Sequence, residues 1–368
     1  MLKQYKLRNY HFQLILYISI LTIIGILLIG SAEPSVQKKQ IIGFVIGIVM
    51  MIVISLMDYS FLLKFHWLYY VGICVLLIMV IFVGDDAGGA QRWIEFGDFR
   101  FQPSELAKIV LILFFSVFFM KYTESINTIK VLVIAFALAG IPLILILKQP
   151  DTSTTIVCAL IFITLLFIAG LSYKIVVTVI AICIPVGIIG ISYILKIAQS
   201  SEEYRLGRIM AWLYPTDPRW SDKAAQQQNS IMAIGSGQLW GKGLNNSVAT
   251  SMKNANYIME PQTDFIFAVA GEELGFVGTS LIILLLFLIV LECILIGRKA
   301  KDLAGRLICC GMASLVGFQA FVNICVATGL MPNTGIPLPF VSYGLTSLWS
   351  LFIGMGFVLN VGLQPKKY

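Results

Sequence analysis

The residues able to do chemistry in this chain are few, and they stand at the ends of apolar stretches. Asp264 follows Thr263 and opens a long apolar run. A carboxylate there is favoured by a helix dipole and is expected to stay ionised. An ionised carboxylate at a membrane-surface cleft can act as a general base; capping the helix is the plainer reading. Glu105 and Lys108 are spaced i, i+3 on one helical face and can pair. Asp151, after Gln149-Pro150, reads as a helix N-cap. Glu272 lies roughly 12 Å beyond Asp264 if the helix is continuous at 1.5 Å per residue, and Glu273 faces elsewhere. Gln319 and Asn323, at i, i+4, read as hydrogen-bonding groups between helices. An ionisable group in hydrocarbon costs about 2.5–3.5 kcal/mol on insertion scales, so each of these needs a reason.

Several chemistries are absent. All seven cysteines fall in apolar stretches without metal-knuckle spacing, and read as small packing residues. The two histidines, His11 and His66, stand at helix ends, too few for a zinc, haem or Ser-His site.

The elements that must position these groups are membrane helices. The chain is 58% hydrophobic and only 12% charged, about half the charge of a soluble domain. Apolar stretches of bilayer-spanning length recur throughout. They predict an all-α integral membrane protein of about ten transmembrane helices, in a single polytopic domain over 1–368. The spans are read at about 12–31, 40–57, 66–84, 105–121, 128–147, 153–170, 174–195, 265–297, 304–328 and 340–361, with a large extracytoplasmic loop at about 196–264 between helices seven and eight. The eighth is too long for one span: DFIFAVAGEELG reads as a bent or interfacial entry, with the crossing starting near Phe276. The basic N-terminus resembles the start of a signal peptide, but the apolar run is too long and Glu33-Pro34 follows it, so an uncleaved first helix is expected.

Lysine and arginine orient the bundle. Lys3, Lys6, Arg8, Lys64, Lys121, Lys130, Lys174, Arg298, Lys299, Lys301, Arg306, Lys366 and Lys367 share one side with both termini, which is therefore read as cytoplasmic. The net charge of +7 thus follows membrane orientation and implies no nucleic-acid partner. Most acids go outward. Two loops rich in turn residues, 84–105 and 327–347, lie on that outer side. Irregular backbone near membrane depth survives where it lines a cavity or is buried in protein. An outward-opening cavity is expected, with simple capping of the bundle as the alternative.

Five motifs then run in order almost end to end. They are Gly89-Ala90-Gln91-Arg92-Trp93-Ile94 with Phe101-Gln102-Pro103-Ser104-Glu105-Leu106-Ala107-Lys108; Gln149-Pro150-Asp151; SIMAIGSGQLWGKGL at 230–244; TDFIFAVAGEELG at 263–275; and GLMPNTGIPLPFVSY at 329–343. This pattern resembles the SEDS (shape, elongation, division and sporulation) family. The departures are Gln262, where the family usually has His, a reversed Pro-Glu order at Glu260-Pro261, and Leu345-Thr346 in place of Gly-Ser.

The resemblance implies a peptidoglycan glycosyltransferase that polymerises lipid II on the outer face of the bacterial cytoplasmic membrane, for elongation or division. It implies a class B penicillin-binding protein as partner, with lipid II and membrane lipids as the other contacts. By the same resemblance Asp264 is the catalytic acid-base residue, and Arg100 and Lys108 match basic positions of the family. Substrate-binding positions are expected at Arg92, Arg100, Gln102, Ser104, Glu105 and Lys108 in the first outer segment. Others are expected at Asp151, Lys242, Thr263, Asn333 and Ser342. The implied reaction joins a sugar 4-hydroxyl to C1 of another sugar, with inversion and a lipid pyrophosphate leaving group. Asp264 takes the proton. Arg100, Lys108, Arg92 and Lys242 are candidates to stabilise the departing charge. A divalent cation (Mg or Mn) could share that role, although no dedicated ligand set is visible. The competing readings are a lipid II flippase, which needs a polar path across the membrane, a small-solute transporter, and a non-catalytic scaffold for the transpeptidase.

Overall fold

The computed structural model describes residues 10–86, 91–97, 99–175, 177, 204–245, 251–253 and 257–364. Its helices are α1 (Phe12–Ala32), α2 (Pro34–Leu56), α3 (His66–Val83), α4 (Pro103–Lys121), α5 (Ile129–Lys148), α6 (Thr152–Ile168), α7 (Tyr204–Leu213), α8 (Ser221–Ser236), α9 (Ile266–Arg298), α10 (Leu303–Ala327) and α11 (Leu345–Leu363). One turn of helix at Tyr59–Leu62 and a 3₁₀ turn at Leu63–Phe65 lead into α3. Among the described residues, eight helices are long and apolar enough to cross a membrane. The shorter apolar α6 matches the sixth expected span. The seventh, at 174–195, falls almost entirely outside the described residues, as do Gly89 and Ala90.

Local chemistry starts these helices where the sequence places polar residues. Glu33 caps α2, whose first residue is Pro34, a position where the missing proline N–H costs nothing. Asp151 caps α6 through the Thr154 N–H at 3.2 Å, as expected. Asp302 caps α10 through the Gly305 N–H at 2.7 Å.

Burial sorts the helices into two shells. Helices α4, α10 and α11 are buried over most of their length, whereas α2, α3 and α5 are buried on one side only. The outward residues of that second set are large and apolar, such as Val45, Leu68, Phe82 and Val133, which suits contact with lipid. Helix α2 packs closely on α11 through Gly43 and Gly47. A Cβ at Gly43 would come within 2.5 Å of the Leu345 side chain, and one at Gly47 would overlap the Phe352 ring. Small residues four apart let two membrane helices approach in this way. Leu345, one of the family departures, therefore fills the hollow over Gly43.

Two features go beyond the sequence reading. The all-α expectation missed a three-stranded antiparallel sheet in the first outer loop. Its strands are β1 (Asp85–Asp86), β2 (Gln91–Phe96) and β3 (Phe99–Phe101), in the order β1-β2-β3. Ile94 pairs with Phe101, Glu95 with Arg100 and Phe96 with Phe99. Strands this short carry a weak periodic signal, and the glycines around them read as loop. The second feature is α9, which breaks at Gly275 (φ 66°, ψ −164°). The bent entry is thus as expected, and what the sequence did not show is the segment that closes the break. Breaking a helix opens backbone hydrogen bonds, and the segment 238–243 closes them. Lys242 N–H donates to the Glu272 carbonyl (2.9 Å) and Gly243 N–H to that of Glu273 (3.0 Å). In return, Phe276 N–H donates to Gln238 (2.8 Å) and Val277 N–H to Leu239 (3.1 Å). The backbones come so close at Gly241 and Gly275 that a Cβ on either would overlap the other segment's main chain.

Candidate active site around Asp264

Asp264 does not cap α9. The helix begins at Ile266, its N-cap is Phe265, and no side chain makes a capping bond there. The capping reading is therefore corrected. The carboxyl is half-buried, and that burial pushes it up to about 6. The Arg208 guanidinium pulls it back down, Glu260 pushes it up, Arg92 pulls it down and Asp151 pushes it up. A carboxyl poised near neutrality suits a general base better than one of ordinary acidity.

The main chain around Asp264 is tied from three sides. Asn323 Nδ2 donates to the Asp264 carbonyl at 2.9 Å. Ser342 Oγ donates to the Thr263 carbonyl at 2.7 Å. Tyr343 N–H donates to the Gln262 carbonyl at 2.8 Å. The last bond uses only the backbone of Gln262, so the His-to-Gln departure leaves it intact. The Gln262 side chain donates to Glu260 Oε2 at 2.9 Å. The Thr263 hydroxyl donates to the Glu260 carbonyl at 3.2 Å.

Across from Asp264 stands the loop before α11. Gly335 there has φ 72°, and a Cβ on it would lie 3.2 Å from Asp264 Oδ2 and 3.8 Å from Arg208 Nη1. Arg208 Nη1 also donates to the Asn333 carbonyl at 3.5 Å. The Asn333 side chain is engaged with Gln226 Oε1 (3.1 Å) and the Gly335 N–H (3.3 Å). Sequence reading missed Arg208 and Gly335. Arg208 sits in a long loop whose pattern showed no structure, and the proximity of Gly335 arises only from folding.

A second group meets at Asp151. Gln102 Nε2 and Ser104 Oγ both donate to Asp151 Oδ2, each at 3.3 Å. Arg92, on β2, donates through Nε to the Gln149 carbonyl (3.3 Å) and through Nη2 to the Pro150 carbonyl. Gln102, Ser104, Asp151 and Arg92 are thus brought together, and the charges of Arg92 and Asp151 act on Asp264. Arg100 stands on the rim: its side chain is 62% exposed and pairs with Glu95 at 2.7 Å.

Deeper, Lys108 Nζ bonds Glu105 Oε1 (2.8 Å) and Gln319 Oε1 (2.9 Å). All three residues are buried, and Glu105 Oε2 has no partner among the described residues. The i, i+3 pair is as expected.

Lys242 is different. Its ammonium pairs with Glu272 at 2.7 Å, and Glu272 also accepts the N–H groups of Met252 (2.8 Å) and Lys253 (3.3 Å). Lys253 pairs with Glu273 at 2.6 Å, and Ser31 joins them. Lys242 therefore belongs to the ion-pair cluster that fastens residues 238–245 and 251–253 to the break in α9.

Among the described residues, no three His, Cys, Asp or Glu side chains gather closely enough to hold a metal ion. The arrangement offers instead one raised carboxyl, two guanidinium groups near it and a buried ammonium. That set can take a proton and stabilise an anion.

Comparison with known proteins places the chain in a family. A family model described as cell cycle protein, covering FtsW, RodA and SpoVE, matches residues 4–367. A probable peptidoglycan glycosyltransferase FtsW of Geobacter metallireducens is 32% identical over 380 residues, covering 98% of this chain and 96% of the relative. Stage V sporulation protein E of Bacillus subtilis is 35% identical over 335 residues, covering 89% and 87%. A chain in a solved structure concerned with coordination of polymerization and crosslinking by a peptidoglycan synthase complex superposes with a TM-score of 0.78. It is 26% identical, with 96% of this chain and 97% of that one covered.

Proposed function

The chain belongs to the FtsW/RodA/SpoVE family of cell cycle proteins, and from that premise we propose that it is a peptidoglycan glycosyltransferase. It polymerises lipid II at the outer face of the cytoplasmic membrane, with both termini in the cytoplasm. The observation that carries this reading is the half-buried Asp264 carboxyl, raised to about 6 and flanked by the charges of Arg208 and Arg92.

The acceptor sugar's 4-hydroxyl attacks C1 of the donor. Its oxygen forms the new C–O bond as the C1–O bond to pyrophosphate breaks. The hydroxyl proton passes to Asp264 and then to water. Displacement by a single base, with no second nucleophilic carboxylate, inverts C1. The pyrophosphate is a good leaving group and needs its charge stabilised more than it needs a proton. Arg92 and Arg208 are cations whose charges act on Asp264, Lys108 supplies a deeper one, and Arg100 works from the rim. Gln102, Ser104 and Asp151 form a polar wall suited to sugar hydroxyls. Thr263, Asn333 and Ser342 act chiefly through the backbone they hold. Lys242 is left out of the charge-stabilising set, because it is committed to Glu272. A divalent cation, Mg or Mn, could share the charge-stabilising role; among the described residues no three His, Cys, Asp or Glu side chains gather to hold one. The partner is a single-span class B penicillin-binding protein that crosslinks the strands.

The test is reconstitution of the chain with its cognate transpeptidase and labelled lipid II. Wild type is expected to make glycan ladders. Asp264→Asn, shown to be folded, is expected to lose about 10²-fold or more of the rate, the share a general base supplies. Unchanged ladders in that variant would sink the assignment.

A further inference from the structure

Resting on that function, one residue outside the reacting set calls for a role. Asn323 is buried at 1% exposure near the C-terminal end of α10. Its amide nitrogen donates twice: to the Asp264 carbonyl at 2.9 Å and to the Ile336 carbonyl at 2.7 Å. An amide NH₂ has two hydrogens, so both are used. One side chain thus joins the main chain of the catalytic carboxylate to the loop that passes over it. That loop also carries Gly335, whose missing side chain leaves the space beside Asp264 Oδ2.

Gln319 lies one turn earlier on the same face of α10. Its Nε2 donates to the Pro337 carbonyl at 2.9 Å, and its Oε1 accepts from Lys108 Nζ at 2.9 Å. Helix α10 therefore presents, in line, a grip on Asp264, two grips on the loop 336–337, and a grip on the buried ammonium. These contacts cross between elements that are far apart in the chain. None of them touches the side-chain carboxylate itself.

We propose that Asn323 is a positioning residue for glycosyl transfer: its amide clips the Asp264 main chain to the 336–337 loop, and with Gln319 it makes α10 the ruler that sets Asp264 relative to Lys108. A reacting group misplaced by as little as 1 Å can lose about 10²-fold in rate. Ground-state binding of lipid II uses other groups, so the loss falls on turnover.

The test compares wild type, Asn323→Asp and Asn323→Ala with the cognate transpeptidase and labelled lipid II, measuring kcat, KM and the pH profile. Asn323→Asp keeps the shape but sets an acceptor against two carbonyls. It is expected to lower kcat about 10- to 100-fold while KM moves less than about threefold. The carboxyl introduced at 323 stands beside the Asp264 main chain, and its charge pushes Asp264 up, so the acid limb of kcat shifts from near 6 to higher pH. In an Asp264→Asn background the same change adds no further loss, because both act through one residue. Asn323→Ala leaves room for a water to bridge the carbonyls and should fall between the two. Folded variants with kcat within about twofold of wild type, or with KM raised and kcat kept, overturn the role. Failure of both variants to fold also overturns it, since Asn323 would then be needed for the fold alone. Wild type that makes no glycan overturns the proposed function and this role with it. An active wild type with unaffected variants overturns this role alone.

Discussion

At neutral pH the Asp264 carboxyl is ionised against the preference of its surroundings, because burial raises it to about 6. The sign of the pH effect follows. The folded state binds this proton more tightly than the unfolded chain, whose ordinary value is 3.8. Stability is therefore lost as pH rises from about 4 through about 6. Activity moves the other way, since the base must be ionised, and is expected to fall as pH drops through 6. Asp264→Asn should melt higher than wild type at pH 7, with the advantage vanishing near pH 4; a thermal melt across that range checks it. Gly335 makes a second prediction. Alanine there meets a positive φ and sets a Cβ 3.2 Å from Asp264 Oδ2. A left-handed backbone position costs alanine about 1 kcal/mol or more, visible as a lower melting temperature. The glycan rate should fall about tenfold or more, as for a displaced reacting group. Asp264 could be singled out from sequence through its match to the family motif, since its position alone favoured capping. Its raised pKa could not, because burial is contributed by residues far away in the chain.

At the scale of elements, the break in α9 and the segment that closes it form one unit. Buried ion pairs hold it, with Glu272 fully buried against Lys242. Removing one partner of such a pair strands a charge and costs about 3–5 kcal/mol. Lys242→Met is expected to lower the thermal stability by that order, and Glu272→Gln added to it should restore much of the loss. A Lys242 that served only the pyrophosphate would give a variant that is stable and slow. The break itself was legible because residues 265–297 are too many for one bilayer crossing. The partner segment was not, since its backbone bonds leave no pattern of side-chain polarity. The same holds for the small sheet at 85–101, where Arg100 is set opposite Glu95 by strand register.

For the whole molecule, the reacting groups gather on the side that lysine and arginine counts assign to the outside. A membrane-impermeant maleimide on intact cells tests this. Asp222→Cys on α8 is expected to label, and Lys299→Cys after α9 only once the membrane is opened. Labelling of position 299 from outside would invert the topology and remove the proposed function from the outer face.

The sequence by itself determined the membrane class, most of the spans and the family. Bilayer thickness imposes a length on every apolar run, and the motifs carry their own spacing. The local pairs Glu105–Lys108 and Asp151–Thr154 were likewise visible, because three residues along a helix form a fixed geometry. Only the tertiary structure decided which distant groups share a site. Arg208 reaches Asp264 from a loop helix, Asn323 reaches it from α10, and Lys242 is drawn away to Glu272. The reason is physical: a carboxylate's neighbours and its degree of burial are properties of packing between elements, which no local spacing encodes.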